Sequence, residues 1–263
     1  MKNPITRLLQ RRELIGLLVA RNLKIRYKNS FLGFFWTLLG PIFMIAIYAL
    51  FLHLLKIAIP LPELVTGIFV WQFLALCLGD SLHAILGNAN LVTKSAFPRA
   101  VLPFSMVLAN LVNFLLSLGV LVVYLLIVGW FRPFLIYGLP LVILTHFALC
   151  AGFALLLSAS NVFFRDTEHI LHTVLMAWFF LSPIIYPFSF VRERLPDGWP
   201  PEALSLYFLN PMAGVVTAYR NVLMGTDLVE PRLIAVSFAV AWLIFLIGFL
   251  VFHRLEPRFG DEL

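Results

Sequence analysis

LPFSMVLANLVNFLLSLGVLVVYLLIVGW (Leu102–Trp130) is followed by FRP (Phe131–Pro133) and then by FLIYGLPLVILTHFALCAGFALLLSA (Phe134–Ala159). Both long runs lack Asp, Glu, Lys and Arg, and both exceed the about 20 apolar residues that a helix needs to cross a bilayer. Three residues between them can only turn the chain. The two runs are therefore expected to be antiparallel spanning helices in a tight hairpin.

Four more runs read the same way: Gly33–Leu55, Leu64–Leu86, Ile170–Tyr186 and Leu233–Phe252. Six transmembrane helices in an all-α membrane protein follow. Composition agrees: the 263 residues are 62% hydrophobic and 12% charged, against about 45–50% and about 25% in a soluble domain. A water-facing surface cannot be made from that composition. The net charge of +6 does not point to nucleic acid, because the cations cluster at the ends of apolar runs. Cys77 and Cys150 lie inside apolar runs and read as small buried residues.

The cations set the orientation. Lys2, Arg7, Arg11, Arg12, Arg21, Lys24, Arg26, Lys28, Lys94, Arg99, Arg165, Arg254 and Arg258 fall on one side. Lys56, Arg132, Arg192, Arg194, Arg220 and Arg232 fall on the other. The richer side is expected to be cytoplasmic, with both termini inside. The first 30 residues are too basic, and too poor in a clean apolar core, for a cleavable signal peptide. Instead, Ile5, Leu8, Ile15, Val19 and Leu23 form a helical stripe opposite Arg7, Arg21, Lys24 and Lys28. This predicts a basic amphipathic helix along the inner membrane surface, a lipid anchor and a docking element for a cytoplasmic partner. The chain thus divides into an interface helix, 1–30, and a single six-helix domain, 31–263.

The fifth run ends in Ser182-Pro183-Ile184-Ile185-Tyr186-Pro187, whose prolines should kink or end that helix. The connection to the sixth run is too long for a simple loop. It opens on a charged turn, Arg192–Gly198, and then offers Asn210 as N-cap, Pro211 as first helical residue and Gly225 as terminator. Met212, Val215, Val216, Tyr219, Val222 and Leu223 follow helical spacing. A helix of ~14 residues spans ~21 Å, too little to cross the bilayer. It should re-enter the outer leaflet or pack against the spans, as a gate or pore rim.

Energy-coupling chemistry is missing. No G-x-x-x-x-G-K-[ST], G-x-S-x-G or H-E-x-x-H occurs in the sequence. His169 and His172, after Asp166 and Glu168, read as a helix start with acidic first residues and not as metal ligands. Intramembrane charge is scarce: Asp80 sits in the last turns of the second run and His146 lies in the fourth, and Asp80 is expected to pair with a cytoplasmic-side cation. Neither inverted repeats nor a catalytic polar cluster supports a secondary carrier or a membrane enzyme.

The stretch Arg21-Asn22-Leu23-Lys24-Ile25-Arg26-Tyr27-Lys28-Asn29-Ser30-Phe31-Leu32-Gly33-Phe34-Phe35-Trp36, then Gly40-Pro41, resembles the opening of polysaccharide-type ABC exporter permeases. Asn88–Arg99 with Leu102-Pro103 resembles that family's first coupling segment, and Asn161–Thr167 its second. Ser182–Tyr186 and Leu209-Asn210-Pro211 match as well, so the resemblance runs along essentially the whole chain. It implies a bacterial cytoplasmic (inner) membrane protein that pairs with a second copy of itself and with two cytoplasmic P-loop ATPase subunits. Those partners would bind the ATP and Mg, leaving this chain no cofactor or catalytic residue of its own. The implied cargo is lipid-linked polysaccharide: O-antigen, teichoic acid or capsule.

The resemblance implies ATPase coupling through Asn90, Lys94, Phe97, Pro98, Arg99, Phe164, Arg165, Asp166 and Thr167. The interface helix would add Arg11, Arg12, Arg21, Lys24, Arg26, Tyr27 and Lys28. Phe35, Trp36, Tyr48, Trp71, Phe73, Trp178, Phe179 and Tyr186 are channel candidates, because an aromatic face stacks on the apolar face of a sugar ring. Asn210, Pro211, Tyr219 and Arg220 would form the outer gate. A permease for drugs or small lipids with the same fold is the alternative reading.

Overall fold

The computed structural model describes residues 11–28, 30–57, 59–94, 97–193, 202–226 and 229–263. Among them there is helix and no strand. In chain order the helices are α1 (Arg12–Arg26), α2 (Trp36–Leu55), α3 (Leu61–Leu82), α4 (Ala89–Lys94), α5 (Val101–Ile127) and α6 (Leu139–Phe163). There follow α7 (Thr167–Leu181), α8 (Phe188–Glu193), α9 (Glu202–Tyr207), α10 (Pro211–Met224), α11 (Pro231–Leu255) and α12 (Phe259–Glu262). Lys2, Ile5, Arg7, Leu8 and the turn from residue 194 to Gly198 lie outside the described residues.

Five helical stretches are long and apolar enough to cross a membrane: α2, α3, α5, 135–163 and 231–262. The fifth expected span differs. The helix there, α7, has 15 residues, about 22 Å, and stops at Leu181. Ser182 precedes Pro183 and is extended, with φ −107° and ψ 151°. The proline ring disfavours helical backbone at the residue before it, so the break falls where the sequence demands. The expected hairpin is also looser than three residues. Gly129, at φ +75°, ends α5, and Pro133–Gly138 makes a 3₁₀ turn before α6 starts.

The helices are not equivalent. The membrane-length window of α3 is 78% buried within the chain, and that of 135–163 is 61% buried. For α2 the figure is 6% and for 231–262 it is 17%. The middle of the bundle is therefore α3 and α6, with α2 and α11 outside. Small residues set the closest approach: a Cβ on Gly248 would meet the Gly152 carbonyl oxygen at 2.2 Å, so α6 and α11 touch backbone to backbone.

Helix α10 follows its sequence signals closely. The Asn210 side chain accepts from the Met212 N–H, Pro211 opens the helix, and Gly225 closes it at φ 69°. Of the two expected placements, it takes packing against the spans: it lies against α3, α6 and α11 and is buried on nearly every side. A Cβ on Gly214 would lie 2.2 Å from the Ser237 Cβ, which marks its contact with α11.

Arg220, fully buried, holds this end together. Its Nε and Nη2 donate to the Glu63 carbonyl at 3.1 and 3.0 Å. Nη2 also reaches the Ile184 carbonyl at 2.8 Å, and Nη1 the Tyr186 carbonyl at 3.0 Å. One planar fork thus satisfies carbonyls of the broken segment after α7 and of the first turn of α3. Asn210 makes a second stitch. Its Oδ1 also accepts from Trp178 Nε1 at 2.7 Å, while its Nδ2 donates to the Leu181 carbonyl at 3.2 Å and to Ser182 Oγ at 3.0 Å.

Three outcomes follow. Arg220→Lys cannot fork, so it should lower the thermal stability of the purified protein in detergent almost as far as Arg220→Ala, a loss of about 3 kcal/mol. Equal stability of Arg220→Lys and wild type would contradict the clamp. Gly67→Ala should also destabilise, because its Cβ would stand 2.3 Å from the Ile184 carbonyl oxygen and 3.0 Å from Arg220 Nη2. Asn210→Asp keeps the cap and the Trp178 contact but loses both Nδ2 donations. Its melting temperature should fall between those of wild type and Asn210→Ala, the cap alone being worth about 1 kcal/mol.

Candidate functional site

The opposite end of α3 gathers four stretches that are far apart in sequence: α1, residues 83–94 and 97–100 with α4, the turn after α6, and the segment that follows α11. Each is tied in by its own polar contacts.

Asp80, near the end of α3, forms an ion pair with Arg26 of α1 and accepts from Asn110 Nδ2 of α5 at 2.8 Å. The cation expected for Asp80 is thus Arg26. Arg21 donates to Asn88 Oδ1 at 2.8 Å, and Asn22 Nδ2 donates to Ser105 Oγ at 3.2 Å. The Tyr27 hydroxyl donates to Asn113 Oδ1 at 3.2 Å and accepts from Thr37 Oγ1 at 3.0 Å. Leu18 is buried, flanked by the half-buried Ile15 and Val19 of the expected apolar stripe. So α1 is sewn to α3 and α5 by polar side chains as well as by its apolar stripe. Arg21, placed on the polar side by its spacing, turns inward because Asn88 offers it an acceptor. An open cleft of about 510 Å³ remains beside α1, bordered by Arg21, Arg26, Asp80, His83 and Asn88.

The expected docking residues divide in two. On α1, Arg21, Arg26 and Tyr27 are engaged inside the chain, while Arg11, Arg12, Lys24 and Lys28 stay exposed. In the first segment, Asn90 and Lys94 are exposed. Phe97, Pro98 and Arg99 are half-buried, and Phe97 packs on the cluster around Val92 and Val101. Arg99 donates through its backbone N–H to Glu256 Oε1 at 2.7 Å and through its guanidinium to the Glu256 carbonyl. In the second segment, Phe164 is 71% exposed, and Arg165 and Asp166 are exposed beside it. Asp166 takes the N-cap position of α7 without capping through its side chain, while the Thr167 hydroxyl donates to the Phe164 carbonyl at 2.6 Å and fixes the turn.

Two contacts tie the second segment to the end of α3: Asn161 Nδ2 donates to the Leu82 carbonyl at 3.1 Å, and Glu168 Oε2, at the start of α7, lies 3.4 Å from His83 Nε2. Phe163 and Val92, one from each segment, belong to one apolar cluster. The sequence marked these segments, with Asn88 and Asn161 as their first residues, but not Glu256 or Phe259, which help to fix them. Pro257, two residues after α11, was the available signal for the 3₁₀ turn at Glu256–Arg258 that ends it.

The aromatic candidates also divide. Phe35 and Trp36 are exposed, at the start of α2. Trp71 packs edge-on against Trp178 at 5.8 Å and Phe179 at 5.6 Å, and Tyr48 packs against the same core. Phe73 stacks on Phe114 at 4.7 Å and lies edge-on to His146 at 4.8 Å, wholly inside the chain. The Tyr186 hydroxyl donates to the Phe180 carbonyl at 3.1 Å. Of the four outer-gate residues, Pro211, Tyr219 and Arg220 are buried and Asn210 is half-buried.

Comparison with known proteins matches this architecture to transporters. An O-antigen export system permease protein RfbA of Myxococcus xanthus is 35% identical over 246 residues, covering 90% of this chain and 92% of that protein. A protein of the same name from Klebsiella pneumoniae is 29% identical over 257 residues, covering 95% of each. The ABC-2 type transporter profile matches residues 13–224, from α1 through α10. The chain belongs to the ABC-2 type transporter family.

Proposed function

We propose that this chain is the transmembrane subunit of an ATP-driven exporter of lipid-linked O-antigen polysaccharide, acting as a pair of copies in the bacterial inner membrane with both termini in the cytoplasm. The observation that carries the reading is the loop cluster at the α1 end. Two stretches separated by two long helices are held side by side, with Lys94, Phe164, Arg165 and Asp166 left exposed. An exposed aromatic ringed by charge is the composition of an anchor for a protein partner. The chain carries no phosphate-binding loop, so that partner would be a cytoplasmic ATPase. The names of the relatives favour O-antigen over drugs or small lipids as cargo.

The outward faces support a path between two copies. Helix α7 leaves Ile170, Met176, Phe180 and Leu181 exposed, and α2 leaves Phe43, Ile47 and Phe51 exposed. Both helices pack on α3, and on this reading their exposed faces form the side that meets a second copy. A second copy meeting that side would enclose a continuous route, which suits a polymer too long for a closed cavity. Helix α10 and the break after α7 would form its outer rim, and the exposed basic residues of α1 would lie against anionic lipid and the ATPase.

Replacing Phe164 by Ala or Lys94 by Glu should weaken ATPase binding about tenfold or more, read as loss of the ATPase subunit on purification through a tag on this chain. In cells the same variants should lose surface O-antigen and retain lipid-linked polymer on the inner leaflet. Full ATPase recovery with both variants would refute the docking face. Normal surface O-antigen in cells lacking this chain would refute the cargo.

A further inference from the structure

The segment after α11 sits where both proposed coupling segments meet. Phe259 is fully buried, in one apolar cluster with Val92 and Val101 of the first segment and Val162 at the end of α6. Its ring lies 6.1 Å from Phe163 of the second segment and 5.4 Å from Phe252 of α11. One turn earlier, Glu256 accepts from the Arg99 N–H at 2.7 Å through Oε1 and from the Arg99 guanidinium through its carbonyl. Its second oxygen, Oε2, is 3.2 Å from His253 Nδ1. The contact is therefore double: a polar latch on the loop that leads into α5, and an apolar wedge between α4 and the end of α6.

A loop can pass a push into the bundle only if it does not yield on its own. The first segment makes one short helix of its own, α4, which has six residues. Such a helix has little stability without tertiary support. We propose that Glu256 and Phe259 are positioning residues for energy coupling: they lock the two segments into one rigid body and join that body to α11. A movement driven by the ATPase would then reach α5, α6 and α11 together. This rests on the reading of the two segments as ATPase contacts.

The test uses the full chain in complex with its ATPase, reconstituted in vesicles, with the same variants expressed in cells lacking the native copy. Glu256→Ala and Phe259→Ala should keep the ATPase bound within about twofold and keep hydrolysing ATP, while surface polysaccharide falls about tenfold. Hydrolysis and export thus part company, which a loss of folded protein would not produce. Glu256→Gln retains an acceptor for the Arg99 N–H and should restore most export, and Phe259→Leu, which retains apolar volume, should do the same if Phe259→Ala fails to accumulate. An unchanged ratio of export to hydrolysis in Glu256→Ala would overturn the proposal, as would a Glu256→Gln variant no better than Ala. If Phe164→Ala and Lys94→Glu release the ATPase while Glu256→Ala changes nothing, the wedge fails and the docking face stands. If those two variants leave the ATPase bound, both readings fail.

Discussion

A guanidinium cannot shed its charge at any accessible pH, so burying one in an apolar bundle requires acceptors that the bundle does not ordinarily have spare. Helical carbonyls are already spoken for. Free ones arise where backbone stops being helical, and at membrane depth such backbone is tolerated only inside protein. Arg220 and the break after α7 solve each other's problem. Pro183 and its neighbours end the helix and expose the Ile184 and Tyr186 carbonyls, and Arg220 satisfies both while reaching Glu63. The rest of that end follows. The fork must come from a helix lying within the bundle, so α10 is buried on nearly every side. The close approach leaves no space for a Cβ at Gly67.

The other end is held by a different economy. There the contacts are short polar ones between side chains of α1 and the ends of α3 and α5, and each employs a residue that a helical projection would have left in water. Arg26 neutralises Asp80, and Asn110 takes a further lone pair of the same carboxylate oxygen. Because the Arg26–Asp80 ion pair is partly exposed, it holds geometry more than it adds stability. What these contacts fix is the angle at which a basic helix leaves the membrane domain, and so where its remaining exposed cations stand.

How much of this was legible from the residues follows from how local each signal is. Spans are written in contiguous hydropathy, and the helix limits agree to within a few residues except beside Pro133, where a 3₁₀ turn delays α6, and in the fifth run, which stops at Leu181. The α10 cap is local as well, since Asn210, Pro211 and Gly225 act on their own neighbours. The function of Arg220 was not legible. A lone Arg on an outer connection reads as a rim charge, and its partners are backbone carbonyls, which carry no sequence signature. Glu256 was hidden for the same reason, because it acts on the backbone of Arg99, 157 residues away. The α1 stripe was half legible: Ile15 and Val19 pack as spaced, but the inward turn of Arg21 depends on Asn88, which no periodicity announces. Of the aromatics, Phe73 reads equally as path or core from sequence, and only its stacking on Phe114 and His146 assigns it to core.

The two ends are linked by rods rather than by loops. Helix α3, 22 residues and about 33 Å long, carries Glu63 and Gly67 under the Arg220 fork near one end and Asp80 and the Leu82 carbonyl in the loop cluster at the other. Helix α11 runs from Ser237, which bonds the Phe208 carbonyl just before α10, to Phe252 beside the Phe259 wedge. A close-packed interior transmits displacement instead of absorbing it. On the proposed reading, a shift of the loop cluster therefore arrives at α10 along two paths at once, through its α3 face and its α11 face. If the two rods move together, α10 is carried with them; if they shear, the Arg220 fork is the joint between them. Its carbonyl partners lie on the broken segment and on the first turn of α3, so the fork ties α10 to both of these elements at once.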